Sequence, residues 1–251
     1  MQILPSQPEL SAAENRAKLA LLMRQKARLS RSFPLSYAQE RLWFLDQLEP
    51  GNPFYNVSKA VRLSGAVDVD ALERTLTQLT YRHEVLRTHF RLEDDQPMQI
   101  ISAPEPFVLQ VEDLSALAVE QREVEARRIS VEEANRAFDL SRGPLLRALL
   151  IKLRDDDYLV VLSMHHIIAD GWSMSVLVRE ISKIYQAFVE GKPSPLHQPV
   201  IQYADYAQWQ KDRAPMLEKD LEYWREQLAG APQLFSLPTD QIGRASCRER
   251  V

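Results

Sequence analysis

Two adjacent imidazoles, a carboxylate and a glycine lie in one short stretch: His165, His166, Ile167, Ile168, Ala169, Asp170 and Gly171. The stretch follows an apolar run, Tyr158 to Met164, that reads as a strand, so these groups are delivered together at a strand exit. An imidazole with a pKa of about 6.5 accepts or gives a proton near neutrality, the requirement for activating an amine, hydroxyl or thiol nucleophile. The cluster therefore reads first as acid/base or acyl-transfer machinery. On a strand, neighbouring side chains point to opposite faces, so His165 and His166 cannot both address one cavity. One is expected to work and the other to hold the structure. Asp170, if buried, needs a cationic partner. Gly171 can take dihedrals closed to other residues, and Trp172-Ser173 begins the next helix.

Three other readings compete at this point. Adjacent histidines also occur in cores, and an aspartate before a helix also serves as a cap. Two imidazoles and a carboxylate can ligate zinc, but zinc-binding pairs usually recur at i, i+4 on a helix, whereas these are adjacent and followed by β-branched residues. Ser173 lacks the Gly-x-Ser-x-Gly elbow of a serine nucleophile.

The elements that must position the cluster are legible around it. Leucines and alanines at helical spacing from about Leu10 to Leu29 read as a leader helix that Phe33-Pro34 breaks. Ser36 and Gln39 have capping-box spacing and open a helix from Ser36 to Glu49, stopped by Pro50-Gly51. Asn56 to Leu63 alternates as a strand. Asp68 or Asp70 opens a helix with Leu72, Leu76 and Leu79 on one side, ending near His83. Strands are expected at Leu86 to Leu92, Met98 to Ser102 and Phe107 to Val111, then a charged helix from about Ala118 to Ala137. Leu145 to Leu153 and Tyr158 to Met164 flank Arg154-Asp155-Asp156-Asp157 and read as a buried antiparallel hairpin. Beyond Gly171 a helix runs to Gly191-Lys192-Pro193, and two more follow, roughly Ile201 to Asp212 and Met216 to Ala229. Helices mixed with partly antiparallel strands predict an α/β sandwich.

Bulk composition excludes several classes. The chain has 251 residues, 45% of them hydrophobic, enough for one substantial core. Its 31 basic and 35 acidic residues are interspersed, giving a net charge of −4 and no broad basic face for nucleic acid. The lone cysteine, Cys247, excludes an intrachain disulfide and a cysteine-based zinc site and fits a reducing, cytoplasmic compartment. The apolar segments Pro144 to Leu153 and Tyr158 to Ile168 are too short to span a bilayer, so neither membrane nor nucleic acid is an expected partner. Several residues have plain structural readings. Trp43 and Leu45 pack a helix, Arg87 pairs with a surface acid, His83 and His89 cap or decorate strand ends, and the Tyr203 to Trp209 aromatics fill core. Arg122 to Arg136 reads as a solvated face with opposite charges at i, i+4.

Four stretches taken together resemble one family. His165-His166-Ile-Ile-Ala-Asp170-Gly171-Trp172-Ser173 is similar to the HHxxxDG signature of condensation domains from nonribosomal peptide synthetases, in the chloramphenicol-acetyltransferase-like superfamily. Ser36-Tyr-Ala-Gln39-Glu-Arg41-Leu-Trp43-Phe-Leu45 resembles that family's first motif. Arg82-His83-Glu84-Val-Leu86-Arg87-Thr88-His-Phe90 resembles its second, and Tyr203-Ala-Asp205-Tyr206-Ala-Gln-Trp209-Gln210 its fourth. HHxxxD alone also marks other acyltransferases, but four motifs occur here in family order. The resemblance implies a two-layer sandwich like one chloramphenicol-acetyltransferase-like half, with a mixed sheet flanked by helices. It implies that His166 acts as general base or positions an α-amine that attacks a carrier-bound thioester, forming an amide. His165 and Asp170 would be structural, Asp170 held by an arginine for which Arg82 is the leading candidate. Gly171 would allow close approach of backbone to substrate, and Arg87 and Trp209 would line a tunnel or support the motifs. No cofactor is implied beyond the 4′-phosphopantetheine of partner carrier domains, and no metal. Carrier and adenylation domains are the implied partners.

The same resemblance divides the chain into a leader helix and linker over 1–33, the N-terminal half of a condensation domain over 34–240, and an atypical basic tail over 241–251 in which Cys247 carries no functional weight. The second half, which would supply the other tunnel wall, is not expected within this sequence. Two alternatives stand beside catalysis: a noncatalytic remnant that binds carrier proteins, and a freestanding coenzyme A-dependent acyltransferase. Epimerisation is an alternative within the family, which the run Asp170 to Ser175 disfavours.

Overall fold

A computed structural model describes residues 31–232. The expected leader helix, Cys247 and the 241–251 tail lie outside the described residues. The strands are β1 (Arg31–Pro34), β2 (Asn56–Ser64), β3 (Thr88–Glu93), β4 (Gln96–Ile101), β5 (Gln110–Asp113), β6 (Leu146–Arg154) and β7 (Asp157–His165). The α-helices are α1 (Tyr37–Leu48), α2 (Val69–Arg82), α3 (Val119–Asn135), α4 (Gly171–Val189), α5 (Tyr203–Asp212) and α6 (Glu218–Gln227). The chain forms two compact units, one ending at Lys211 and one starting at Asp212. The second contains α6, where Tyr223 and Trp224 meet edge to face. The histidine cluster belongs to the first.

The first unit is the expected mixed sheet flanked by helices. Its four-stranded sheet has the order β2-β7-β6-β5, antiparallel except where β5 runs parallel to β6. The β6–β7 hairpin turns at the Arg154-to-Asp157 charges and is apolar on both faces because both faces are covered. Leu146, Ala148, Leu150, Tyr158, Val160, Leu162 and Met164 point into the main core, with Leu72, Leu76 and Leu79 of α2 and Met174, Leu177 and Ile184 of α4. The alternate residues Leu149, Ile151, Leu153 and Val161 pack with Ala126 of α3 in a second cluster. This period of two covers both faces of β7, and its pairing with β2 on one side and β6 on the other holds its C-terminal end from both edges.

Caps fix the helix starts. Ser36 accepts the Gln39 amide while the Gln39 side chain takes the Ser36 amide, completing the capping box, and Gly51 at φ 76° serves the turn after α1. Asp68 caps α2 by accepting the Ala71 amide at 2.8 Å.

Four local readings of the sequence are corrected. Arg31–Pro34 is a strand, pairing with β4 in a separate three-stranded sheet of order β1-β4-β3; its proline closes a short edge strand, where no ladder donor is needed. The strand expected from Leu86 starts only at Thr88, because Glu84–Arg87 winds into a 3₁₀ turn with the Leu86 amide on the His83 carbonyl at 3.1 Å. The strand expected from Phe107 starts at Gln110, because side chains of α2 take the intervening donors: Phe107 N–H goes to Thr77 Oγ1 (3.0 Å) and Leu109 N–H to Glu73 Oε2 (3.1 Å). The charged face of α3 is solvated at Glu125, Arg128 and Glu132, but Glu133 is buried and holds Arg147 at 2.6 Å.

Candidate active site

β7 ends at His165, and its hydrogen-bond alternation runs one residue further before the chain turns. The His165 amide donates to the Leu145 carbonyl (3.1 Å) on one side and the His166 amide to the Tyr55 carbonyl (2.8 Å). These two residues therefore keep the alternation of the strand, and their side chains part. His165 is 2% exposed, packed edge-on to Phe138 and tilted against Tyr55. Its Nδ1 accepts the Ile167 amide at 3.1 Å, so the neutral ring carries its proton on Nε2. Burial, with His166 beside it, pushes its pKa down to about 4. It is a neutral structural imidazole that shapes the turn, in which the Ile168 amide also returns to the His165 carbonyl at 3.1 Å.

His166 is exposed into a cavity of about 620 Å³. Leu42 and Leu45 of α1, Val85, Met164, Ile168 and Leu177 supply apolar walls, and Asp170, Trp172, His83 and Tyr203 lie on the same lining. Three of the sequence motifs meet in its floor: Gln39 Nε2 reaches the Ile167 carbonyl at 3.5 Å, and Ser36 Oγ lies 2.9 Å from the Tyr203 hydroxyl. Burial pushes the Tyr203 phenol up, which keeps it protonated.

Asp170 is the N-cap of α4. Its Oδ1 accepts the Ser173 amide at 2.7 Å and the Ser173 hydroxyl at 2.5 Å, and these bonds, with His166 nearby, hold its carboxyl below the usual range. The expected Arg82–Asp170 pair does not form. Arg82 donates from Nε to Glu180 Oε2 at 3.1 Å, and His83 Nε2 lies 2.6 Å from the same oxygen. Asp170 is exposed and its charge is met by the Ser173 donors it caps, so it needs no cation, whereas Glu180, with a 12% exposed side chain, does. Burial alone would raise the Glu180 pKa, but the bonds from His83 and Arg82 outweigh it and hold the carboxyl low. Gly171 opens α4 without a positive φ, which corrects the expectation of special dihedrals; a Cβ there would meet nothing within 4 Å.

The other candidates lie elsewhere or differ in role. Arg87 faces a second cavity of about 450 Å³, donating to the Thr80 carbonyl (3.2 Å) and the Ser102 carbonyl and reaching Glu84 at 3.5 Å, so it braces the α2–β3 connection. Trp209 is half exposed and stacks on Tyr206, with centroids 5.9 Å apart. The core face of α5 belongs to Ala204 and Ala207 instead, correcting the reading of its aromatics as core. Leu45 lines the histidine cavity, and Trp43 packs against the main core as expected. His83, Glu180, Ser36 and Tyr203 were not marked as site residues by sequence. The signal for His83 was its place beside Arg82 in the second motif; Glu180 stood as one acid among many on a helix.

The condensation-domain family model matches residues 30–250. The chain belongs to the condensation-domain family. It is 46% identical over 210 residues to one of the linear gramicidin synthase subunits of Brevibacillus parabrevis, covering 83% of this chain and 3% of that protein. It is likewise 46% identical over 210 residues to phosphinothricin tripeptide synthetase PhsC of Streptomyces viridochromogenes, covering 83% of this chain and 19% of that protein. Among solved condensation domains, the starter condensation domain of rhizomide synthetase RzmA superposes with a TM-score of 0.73 at 24% identity, over 81% of this chain and 49% of that one. The first condensation domain of the CDA synthetase gives 0.69 at 24%, over 83% and 53%. The chain thus spans about half of each solved domain and a small part of each synthetase.

Proposed function

We propose that this chain carries the histidine-bearing part of a catalyst of amide-bond formation between a carrier-bound peptidyl or aminoacyl thioester and a carrier-bound aminoacyl acceptor. The observation that carries the reading is the parting of the two imidazoles: His165 is sealed and neutral, while His166 opens into the 620 Å³ cavity. The acceptor amine attacks the donor carbonyl, a C–N bond forms, the C–S bond breaks, and the amine's proton passes by way of His166 to the departing thiolate. A thioester is already activated, so holding both substrates in reach supplies much of the acceleration. Asp170 and His165 fix the loop, Arg82 and Arg87 brace the second motif, and Trp209 supports the fourth. Gly171, with open space where a Cβ would stand, leaves room for substrate beside the first turn of α4, whose N1 amide lacks an intrahelical acceptor.

Both substrates arrive on 4′-phosphopantetheine arms of carrier domains, loaded by adenylation domains, in the cytoplasm. Residues 34–240 form the N-terminal half of the catalytic domain, which the pairing of β1 supports extending back to Arg31, with the residues before it as leader and linker. The test is His166→Ala in a complete two-lobed condensation domain containing these residues, supplied with two loaded carriers. Amide formation is expected to fall by about 10²-fold to 10⁴-fold with the circular dichroism unchanged. Unchanged product formation with intact folding removes His166 from the chemistry.

A further inference from the structure

The cavity has a second imidazole on its lining, and the chemistry assigned to His166 leaves it unused. His83 ends α2, its amide bonded to the Leu79 carbonyl at 2.9 Å, and its quarter-exposed side chain faces the space that His166 faces. One ring nitrogen is committed: Nε2 lies 2.6 Å from Glu180 Oε2. An ionised carboxylate only accepts, so Nε2 carries the hydrogen, and Nδ1 of the neutral ring is left with a lone pair. Among the described residues nothing donates to Nδ1. Nor is it sealed, since the buried side-chain atoms without a partner are Asn56 Oδ1, Arg82 Nη1 and Arg122 Nε.

We propose that His83, oriented by Glu180, uses Nδ1 as a hydrogen-bond acceptor for the amine of the acceptor substrate. The ligand group must be a donor, and the α-amine of an aminoacyl thioester is one, whereas its thioester sulfur and carbonyl only accept. Arg82 already pairs with Glu180 at 3.1 Å, and the same carboxylate oxygen takes the His83 Nε2 hydrogen, so the ring is held from its Nε2 side and Nδ1 is the nitrogen left for a ligand. His83 therefore holds the amine, and His166 handles its proton. The other group on this lining that an ammonium would seek is Asp170; Ser173 occupies its Oδ1 but not its Oδ2, so it is the competing contact that the Asp170→Asn variant below tests. The inference rests on the proposed condensation reading and specifies the acceptor side of that site.

The experiment compares two probes on the 251-residue chain by calorimetry: leucyl-pantetheine with an amide in place of the thioester, and its 4-methylpentanoyl counterpart, which lacks only the amine. Leucyl-pantetheine is expected to bind about tenfold more tightly. His83→Gln, whose amide reproduces the Nε2 donor to Glu180 but offers nothing at Nδ1, is expected to erase that preference. His83→Asn, which restores an acceptor near Nδ1, recovers part of it. Nitrogen-15 spectra of the imidazoles give a readout independent of ligand, with His83 as the Nε2–H tautomer. An Nδ1–H tautomer, equal binding of the two probes, or a preference that survives in His83→Gln and is lost in Asp170→Asn overturns this inference alone. Binding of neither probe overturns it together with the proposed function.

Discussion

His165 gives the site a dependence on pH that is separate from catalysis. Its folded pKa is about 4 against about 6.5 in an unfolded chain, so between those values the unfolded state binds the extra proton. Its neutral packing is therefore fully present above pH 6.5 and is lost as the pH falls towards 4. At about 1.4 kcal/mol per unit, the full difference is about 3.5 kcal/mol, of which about 2.5 kcal/mol is lost between pH 7.5 and 4.5. Urea unfolding at pH 7.5 and 4.5 should show that loss in the parent and a much flatter profile in His165→Asn, which keeps an acceptor for the Ile167 amide and does not titrate. Equal slopes in the two proteins would exclude His165 as the group. The two carboxylates near the site should also differ. Asp170→Ala removes an exposed cap and should cost about 1 kcal/mol, whereas Glu180→Ala strands Arg82 without its carboxylate and should cost about 3 kcal/mol or more. Denaturant midpoints in the reverse order would restore the Arg82–Asp170 pairing that the family resemblance suggested.

At the scale of elements, one turn of α3 makes the contrast between charge on a solvated face and charge at an interface. Glu132 is exposed and pairs with Arg128 at i, i+4, while its neighbour Glu133 is buried and holds both Arg147, stacked 3.6 Å over Phe138, and Arg136. Glu132→Ala should change stability by no more than about 0.5 kcal/mol, and Glu133→Ala should cost about 3 kcal/mol by stranding Arg147. Similar midpoints for the two variants would show that the buried network contributes nothing. The same contrast explains what was legible in the sequence. Elements announced by a cap and a period were readable: Ser36 with Gln39, Asp68 with Leu72, Leu76 and Leu79, and the two apolar strands around Arg154 to Asp157. Elements decided by tertiary partners were not. β1 exists because β4 offers it an edge, and β5 starts late because Thr77 and Glu73 take two amides that a local reading assigns to the ladder. At the site, the parting of His165 and His166 followed from strand geometry alone. The partners of Arg82 and Asp170 did not, because Glu180 is brought to Arg82 by the packing of α4 against α2.

At the scale of the molecule, the question is how much of a catalyst one histidine-bearing wall can be. Joining two thioesters draws its acceleration from holding both in near-attack geometry, an effect equivalent to about 10⁵–10⁸ M in well-oriented systems, and a group that restrains only one partner forfeits most of it. This chain spans 49% of the rhizomide starter domain and 53% of the first CDA condensation domain, and its 620 Å³ cavity is lined by α1, the β7 exit, α4 and α5 of one unit. On the proposed reading that surface holds one aminoacyl group, and among the described residues no second surface stands opposite it for the other thioester. The 251-residue chain, given two loaded carriers, is accordingly expected to yield no amide above the uncatalysed background, and His166→Ala to leave that background unchanged. In a complete two-lobed domain the same substitution should remove most of the product. Product formed by the chain alone, and abolished by His166→Ala, would place the whole reaction on this wall and reduce the second half to a support.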